Sequence, residues 1–153
     1  MRPGVISPGY AARQAAALDR ILDGRLLLNI VTGGNPTELA QDGVHLGHAE
    51  RYAQTDEFLT VWRAAVQGQA FDFKGKYYEA RSAGGIAFPP VQSPYPPLYF
   101  GGSSSDGVAV AARHTDHYLT WGEPPARWPG SSRRRGRPRR PWGARCASGS
   151  AST

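Results

Sequence analysis

The amino-acid sequence predicts an α/β fold built around a parallel sheet. Two short apolar runs, 25–31 and 98–100, are bounded by glycines or prolines and have the length of strands that are buried on both faces. A third strand is predicted at 118–121. Longer segments with helical spacing precede and separate these runs, and such alternation of helices and strands is typical of a parallel sheet covered by helices.

The first predicted helix extends from 8 to 24. Pro8 suits the first helical turn, because its ring fixes a helical φ, and Gly24 suits the position just after the last turn. Asp19 and Arg20 are interpreted as part of the solvated face of this helix. Apolar residues recur at helical spacing on the opposite face: Ala11, Ala15, Leu18 and Leu22.

Two further helices are predicted after the first strand. Asn35, Pro36 and Glu38 are the residue types favoured at the N-cap and in the first turn, so they predict a short helix. The clearest helical pattern extends from 48 to 68, where charged residues occupy one side of the helix. The apolar stripe on its other side comprises Tyr52, Leu59, Trp62 and Val66.

A hairpin and a last helix complete the predicted elements. Residues 71–78 alternate in polarity around Lys74 and Gly75, which is the signature of two antiparallel strands joined by a turn. A proline-rich crossing, 88–97, leads to the second apolar run. The glycines and serines that follow this run predict the end of a strand and the cap of a helix at 107–114.

The charge is distributed unevenly and divides the chain into a body, 1–126, and a tail, 127–153. The chain has 18 Lys and Arg against 12 Asp and Glu, a formal net charge of +6. Eight of the arginines and none of the acidic residues lie in the tail, so the body carries a net charge of −2. The tail has no helical or strand periodicity, and its composition predicts a disordered, Arg-rich segment.

The cysteine content and the apolar runs of the sequence predict where the protein is located in the cell. Cys146 is the only cysteine and lies in the tail, as suits a protein of a reducing compartment without disulfides. The sequence has neither the apolar core of a signal peptide nor the run of about 20 apolar residues that a membrane span needs. We therefore expect a cytoplasmic protein.

Many stretches of the body together carry a resemblance that none of them carries alone. They are 11–19 (AARQAAALD), 24–25 (GR), 29–33 (NIVTG), 42–43 (DG), 48–52 (HAERY), 57–58 (EF), 61–63 (VWR), 73–76 (FKGK), 88–90 (FPP), 94–104 (PYPPLYFGGSS) and 118–125 (YLTWGEPP). In their order and spacing they resemble the alkanesulfonate monooxygenase branch of the luciferase-like flavin-dependent monooxygenases, almost unbroken from Arg2 to Pro125.

The resemblance implies a partial (β/α)₈ TIM barrel of the luciferase-like type, with about three of its eight strands in this chain. Family members of this branch use reduced FMN (FMNH2), supplied by an NAD(P)H-dependent FMN reductase, together with O2. They convert an alkanesulfonate to an aldehyde and sulfite, and they form homo-oligomers. Because the remaining barrel strands have no counterpart here, we expect the chain to be truncated and inactive as it stands.

The tail predicts a change of reading frame near Arg127. With one choice of GC-rich codons, the DNA for 145–153 also encodes Val-Arg-Phe-Gly-Ile-Arg-Leu-His when it is read two bases out of phase. That string resembles the next barrel strand of the family, which contains the catalytic Arg and His. In the frame as it stands this strand is lost, so no catalytic residue is assigned to the chain. The DNA sequence of the gene tests this hypothesis.

The resemblance implies four cofactor-binding residues in two pairs. His48 and Tyr52 lie four positions apart at a helix start, where an imidazole and free N–H groups suit a phosphate or an anionic reduced flavin. A surface histidine and a core tyrosine would show the same spacing. Ser103 and Ser104 follow a buried strand and suit a phosphate at the barrel mouth, although an ordinary N-cap has the same composition.

Asn29 is a fifth candidate for cofactor binding. It ends a buried strand, where its amide either points into the barrel mouth or satisfies a neighbouring loop. His45, His114 and His117 have no cysteine or carboxylate at ligand spacing, so we expect no metal site.

Two other functions compete with the monooxygenase. One is a luciferase-like protein that binds flavin without catalysis, which a flavin titration with and without an alkanesulfonate distinguishes. The other is nucleic-acid binding through the arginines of the tail. No folded nucleic-acid-binding module accompanies those arginines, so we expect no specific nucleic-acid partner.

Overall fold

The computed structural model describes residues 1–119. The tail and the boundary predicted at 126 lie outside the described residues, as do positions 120 and 121 of the last predicted strand. Within 1–119 the elements are, in chain order, α1 (Pro8–Ile21), β1 (Leu28–Ile30), α2 (Pro36–Gln41), α3 (His48–Val66), β2 (Ala70–Lys74), β3 (Glu79–Ala83), β4 (Leu98–Gly101), α4 (Ser105–His114) and β5 (His117–Leu119).

The predicted parallel sheet is confirmed. Strand β4 lies between β1 and β5 and is parallel to both. In register, Ile30 pairs with Phe100, which pairs with Tyr118. Ile30 and Phe100 are fully buried, so this row faces the helices and anchors the sheet to the core.

The helices form one layer against that face of the sheet. Helix α3 packs against α1 on one side and α4 on the other. The apolar stripe predicted for α3 is confirmed, since all four of its residues are buried, with Trp62 and Leu59 at 0% exposure. The apolar face predicted for the first helix is confirmed for Ala11 and Ala15, which are buried. It is wrong for Leu18, which is 46% exposed, and for Leu22, which directly follows α1 and is 38% exposed.

Asp19 corrects a second prediction for α1, because it is fully buried rather than solvated. Its carboxylate accepts hydrogen bonds from the backbone N–H of Gln92 (2.8 Å), from Gln92 Nε2 (2.7 Å) and from the N–H of Leu26 (3.4 Å). Burial by itself raises the pKa of Asp19, but these hydrogen bonds outweigh it and hold the pKa below its ordinary value. The carboxylate therefore holds the C-terminal end of α1 against the proline-rich segment 88–97.

The predicted hairpin is confirmed, but its second strand is Glu79–Ala83 rather than the segment 76–78 that directly follows Gly75. Strands β2 and β3 are antiparallel, and Lys74 pairs with Glu79, so residues 75–78 form the connection. The carboxylate of Glu57 in α3 accepts the N–H groups of Lys76 (2.8 Å), Tyr77 (2.8 Å) and Tyr78 (3.0 Å). A side chain at Gly75 would collide with this carboxylate, so it would have to displace Glu57 from the three N–H groups.

Strand β1 differs from the prediction of a strand buried on both faces. Ile30 is buried, but Asn29 is exposed. The reason is that no element within 1–119 covers the face of the sheet opposite the helices. The edge of β1 is partly paired, since the Met1 ammonium donates to the Asn29 carbonyl (2.6 Å) and the Val31 N–H donates to the Met1 carbonyl (3.0 Å).

Other sequence-based expectations concern caps and membranes. The Asn35 side chain accepts a hydrogen bond from the Thr37 N–H (3.0 Å), which confirms the predicted N-cap of α2. Across residues 1–119 no helix combines the length and apolarity that a membrane span requires. The same part of the chain contains no cluster of three or more His, Cys, Asp or Glu side chains suited to a metal ion.

His114 makes the stability of the fold depend on pH. Its side chain is 6% exposed, its Nε2 lies 2.8 Å from Asp56 Oδ1, and its Nδ1 is buried without a partner. Burial lowers the pKa of His114 below its ordinary value of 6.5, although the hydrogen bond to Asp56 opposes the shift. The unfolded chain therefore binds this proton more readily, and we expect the free energy of unfolding to decrease as the pH falls below about 6.5.

Urea unfolding at pH 7.5 and 5.5 measures this loss. His114→Gln removes the titrating group and should flatten the dependence, whereas His45→Gln, at an exposed loop position, should leave it unchanged. Equal pH dependence in the wild type and His114→Gln would contradict the assignment.

Candidate functional site

The C-terminal ends of the parallel strands define the candidate site. Loops leave the sheet after Ile30 and after Gly101, and both lead into helices. In α/β barrels these loops form the active site, because parallel strands present all their C-terminal ends on one face. The sequence-predicted residues His48, Tyr52, Ser103 and Ser104 lie at the starts of α3 and α4 or just before them.

His48 and Tyr52 lie together at the start of α3. Their ring centroids are 4.8 Å apart. His48 is exposed, and its Nδ1 lies 3.8 Å from Oδ2 of Asp106 in the first turn of α4. Tyr52 is 8% exposed and packs in the core beside Phe100 at 6.4 Å between ring centroids. The exposed histidine and the buried tyrosine are what the structural alternative for this pair expects, and the role of the pair in cofactor binding stays a prediction.

Tyr52 also lies close to one glycine of the loop between β4 and α4 and to one glycine in the first turn of α4. A Cβ at Gly102 would lie 3.4 Å from the Tyr52 hydroxyl, and one at Gly107 would lie 3.2 Å from the Tyr52 ring. The carbonyl of Gly102 accepts the Tyr118 hydroxyl. The absence of side chains at these glycines therefore allows the backbone to pack closely against the Tyr52 ring, and the hydrogen bond from Tyr118 fixes its position.

The two serines of this loop have different environments. Ser104 is the N-cap of α4, since its Oγ accepts the N–H of Gly107 at 3.1 Å. This is the ordinary capping role, and it leaves the hydroxyl hydrogen free to donate to a ligand. Ser103 is exposed. The backbone N–H groups of Ser105 and Asp106 belong to the first turn, where no earlier carbonyl is in position to accept them.

Asn29 lies on the other face of the sheet, away from the cluster around His48. In register with it are Tyr99 on β4 and His117 on β5. The Tyr99 and His117 rings are stacked, with centroids 4.5 Å apart and an interplanar angle of 22°. In a closed barrel the face opposite the helices is the interior. That Asn29 points into the barrel mouth stays a prediction.

Sequence reasoning missed Tyr99 and His117. The alternation of burial along β4, with Leu98 and Phe100 buried and Tyr99 and Gly101 half-buried, assigns Tyr99 to the same face as Asn29. That alternation is invisible in 98–100 because all three residues are large and apolar or aromatic. His117 could be placed only once the register of β5 was known.

Comparisons with known proteins agree with this architecture. A family model described as luciferase-like monooxygenase matches residues 1–130. Similar solved structures are a riboflavin lyase with modified FMN and riboflavin (25% identity, TM-score 0.70, 82% of this chain and 33% of that one) and a long-chain alkane monooxygenase (25%, 0.69, 78% and 33%). A third is an F420-dependent secondary alcohol dehydrogenase with an F420–acetone adduct (26%, 0.63, 78% and 36%).

The chain spans about a third of the length of these structures. Their similarity confirms the prediction of a partial (β/α)₈ barrel of the luciferase-like type. The family is one of enzymes. Because its model matches 130 of the 153 residues, the chain belongs to the luciferase-like monooxygenase family.

Proposed function

We propose that the chain forms the flavin-binding part of an FMNH2-dependent alkanesulfonate monooxygenase, the branch of the family that its sequence resembles. The observation that supports the proposal most is the convergence of His48 and Tyr52 with the loop 102–104 at one end of the parallel sheet. Barrel enzymes commonly bind phosphate at this end.

The loop and the first turn of α4 fit a phosphorylated flavin. The Ser103 and Ser104 hydroxyls and the first N–H groups of the helix are donors, and the positive end of the helix dipole favours an anion. The Asp106 carboxylate opposes an anion there. Its Oδ2 lies 3.8 Å from His48 Nδ1, so the same carboxylate also faces the imidazole.

Reduced FMN and O2 supply the oxidising chemistry in such enzymes. An alkanesulfonate, O2 and FMNH2 are converted to an aldehyde, sulfite, FMN and water. The proposal assigns binding and orientation of the flavin to this chain, and an FMN reductase and a homo-oligomeric full-length enzyme complete the system. It assigns no proton-transfer residue, because the Arg-Leu-His strand of the family has no counterpart in the sequence.

Replacing His48 by alanine is expected to raise the dissociation constant for reduced FMN about tenfold, since a hydrogen bond to a charged group contributes about 1.5–3 kcal/mol. His45→Ala is the matched control, because His45 is also exposed and lies only three residues earlier. His114→Ala is a second comparison and should affect folding rather than flavin affinity, since His114 is buried against Asp56.

Anaerobic fluorescence titration of the wild type and these variants decides the role of His48. Equal affinities of His48→Ala and His45→Ala would remove His48 from the site. Titration with F420 tests the other cofactor seen among the similar structures. Titration of FMN with and without octanesulfonate separates a sulfonate-dependent enzyme from a flavin-binding relative, since only the former should show coupled binding.

A further inference from the structure

The two most exposed large apolar side chains of residues 1–119 border one groove along helix α1. Ile21 is 77% exposed and Phe88 is 69% exposed. A single apolar residue on a surface is ordinary, whereas a contiguous apolar surface is typical of a binding site. The groove, which we call the α1 groove, has a volume of about 310 Å³ and is formed by Arg13, Ala17, Arg20 and Ile21 of α1 and by the segment 86–88.

Both walls of the α1 groove are held in place by contacts outside it. Asp19, on the buried side of α1, accepts two hydrogen bonds from Gln92, at 2.7 and 2.8 Å. On the other side of the segment 86–88, the Gly85 N–H donates to the Gly68 carbonyl at 2.8 Å. The segment lies between these two anchors, so the groove exists before a ligand binds and little of the chain must be ordered on binding.

Two arginines, Arg13 and Arg20, line the groove, and both are exposed. Neither takes part in any ion pair within residues 1–119. The Arg13 guanidinium lies over the Tyr10 ring, 5.8 Å from its centroid, and Arg20 makes one long hydrogen bond, of 3.4 Å, to the Pro89 carbonyl. Beyond these described contacts, most of their N–H donors remain available for an anion.

The spacing of these residues separates a charged end of the groove from an apolar end. Arg13 and Arg20 are seven positions apart, which is two helical turns or about 10 Å along the axis, and Ala17 lies between them. Long side chains of a helix lean toward its N-terminus, so Arg20 extends over the small Ala17. Ile21 follows Arg20, and the segment 86–88 forms the facing wall.

A second apolar cavity on α1 lacks this arrangement of charge. Its volume is similar, about 320 Å³, and Arg2 is its one arginine. The Arg2 guanidinium already forms ion pairs with Asp42 and Glu38. An anion in that cavity would have to compete with two carboxylates, whereas an anion in the α1 groove meets two arginines without such partners.

The size and charge of the α1 groove indicate which kind of molecule it fits. Its volume is at the lower end of the range for small-molecule sites, about 300–1,000 Å³, and a stable protein interface needs about 800 Å² on each partner. The tail, 127–153, contains eight arginines and no acidic residue, so like charges oppose its binding. A second copy packed symmetrically on the groove would bring its own arginines against Arg13 and Arg20.

We propose that the α1 groove binds a free medium-chain alkyl carboxylate. Arg13 and Arg20 donate hydrogen bonds to its carboxylate, whose two oxygens match the fork of a guanidinium. Ile21 and Phe88 contact its alkyl chain. The site lies apart from the β4–α4 loop, so it does not depend on the proposed flavin function.

Calorimetric titration of the 153-residue chain with decanoate, below the concentration at which micelles form, tests the proposal. Decanoate should bind, and hexanoate should bind roughly tenfold more weakly, because it lacks four CH₂ groups and each contributes about a factor of two in an open groove. Decyltrimethylammonium has a chain of the same length and the opposite charge, and it should not bind measurably.

Variants locate the bound carboxylate. Arg13→Gln together with Arg20→Gln should raise the dissociation constant for decanoate by about tenfold or more, because the charged donors are lost. Arg25→Gln is the matched control, since Arg25 is exposed just after α1 and does not line the groove. Phe88→Ser should also weaken decanoate, whereas Val91→Ser, at a 53% exposed position outside the groove, should not.

Several outcomes would overturn the proposal. They are no binding of decanoate, equal binding of decanoate and decyltrimethylammonium, and equal affinities of the double arginine variant and Arg25→Gln. Co-sedimentation with phosphatidylcholine–phosphatidylglycerol vesicles tests a membrane instead: vesicle binding that the double variant loses, without binding of decanoate, would make the groove a membrane contact.

Circular dichroism checks that each variant folds. If the double variant does not fold, Arg13→Gln alone decides by the same comparison with Arg25→Gln, because the Arg13 side chain donates no hydrogen bond within residues 1–119. A negative result leaves the flavin titrations unaffected, since neither decanoate nor these variants involve His48 or the loop 102–104.

Discussion

Replacing Asp19 by alanine is expected to reduce the free energy of unfolding by about 3–5 kcal/mol, because it removes a buried carboxylate and takes the acceptor from three partly buried N–H groups. Two of these donors belong to Gln92 and one to Leu26. The loss is a large fraction of the 5–15 kcal/mol that stabilises a typical domain. Denaturant unfolding followed by circular dichroism measures it.

Two variants control for the position and the charge of Asp19. Arg20→Ala changes the neighbouring residue, whose only described hydrogen bond is a long one to the Pro89 carbonyl (3.4 Å), and should alter stability by less than about 0.5 kcal/mol. Asp19→Asn keeps one acceptor oxygen and should fall between the wild type and Asp19→Ala. If Asp19→Ala loses no more free energy of unfolding than Arg20→Ala, the carboxylate does not stabilise the contact between α1 and the segment that contains Gln92.

The Asp19 carboxylate also makes the free energy of unfolding decrease at acidic pH. Its pKa is lower in the folded protein than the ordinary value of 3.8, so the unfolded chain takes up this proton first. The stabilisation is therefore complete above about pH 4 and is lost as the pH falls through the folded value. The effect of His114 begins at a higher pH, near 6.5.

Local patterns sufficed to predict the helices and the hairpin. The stripe of α3, the cap at Asn35 and the turn near Gly75 each depend on residues a few positions apart, and the structure confirms all three. Asp19 was misassigned because its partner, Gln92, is 73 residues away. The sequence alone does not distinguish a buried carboxylate from a solvated one, because the segment that covers it is distant along the chain.

The candidate site was predictable to the extent that it is local in sequence. His48 and Tyr52 share one helix face, and Ser103 and Ser104 share one loop, so their neighbourhoods follow from the elements that contain them. The meeting of the two groups, at Gly102 and Gly107 against Tyr52, depends on how α3 and α4 pack. The row containing Tyr99 and His117 depends on strand register, which no local pattern determines.

Replacing Glu57 by alanine is expected to reduce the free energy of unfolding by about 2–4 kcal/mol, since three backbone N–H groups lose a charged acceptor. These are the N–H groups of Lys76, Tyr77 and Tyr78, at 2.8–3.0 Å from the carboxylate. The contact joins the hairpin connection to α3, which also begins with His48. Loss of the contact should therefore loosen the hairpin while the helices persist.

Hydrogen exchange at residues 76–78 measures this effect where it arises. In Glu57→Ala these three amides should exchange faster than in the wild type, because they have lost their hydrogen-bond acceptor. The exchange rates of amides in the middle of α3 should change only as much as the global free energy of unfolding predicts. Glu79→Ala is the matched control, because Glu79 lies in the same hairpin and its one side-chain contact within residues 1–119 is an exposed ion pair with Lys74 at 3.9 Å. Such a pair contributes about 0–1 kcal/mol. Unchanged protection of the three amides in Glu57→Ala would contradict the role of the carboxylate even if the variant were less stable. If protection is lost there and kept in Glu79→Ala, the single carboxylate of α3 is what orders the connection between β2 and β3.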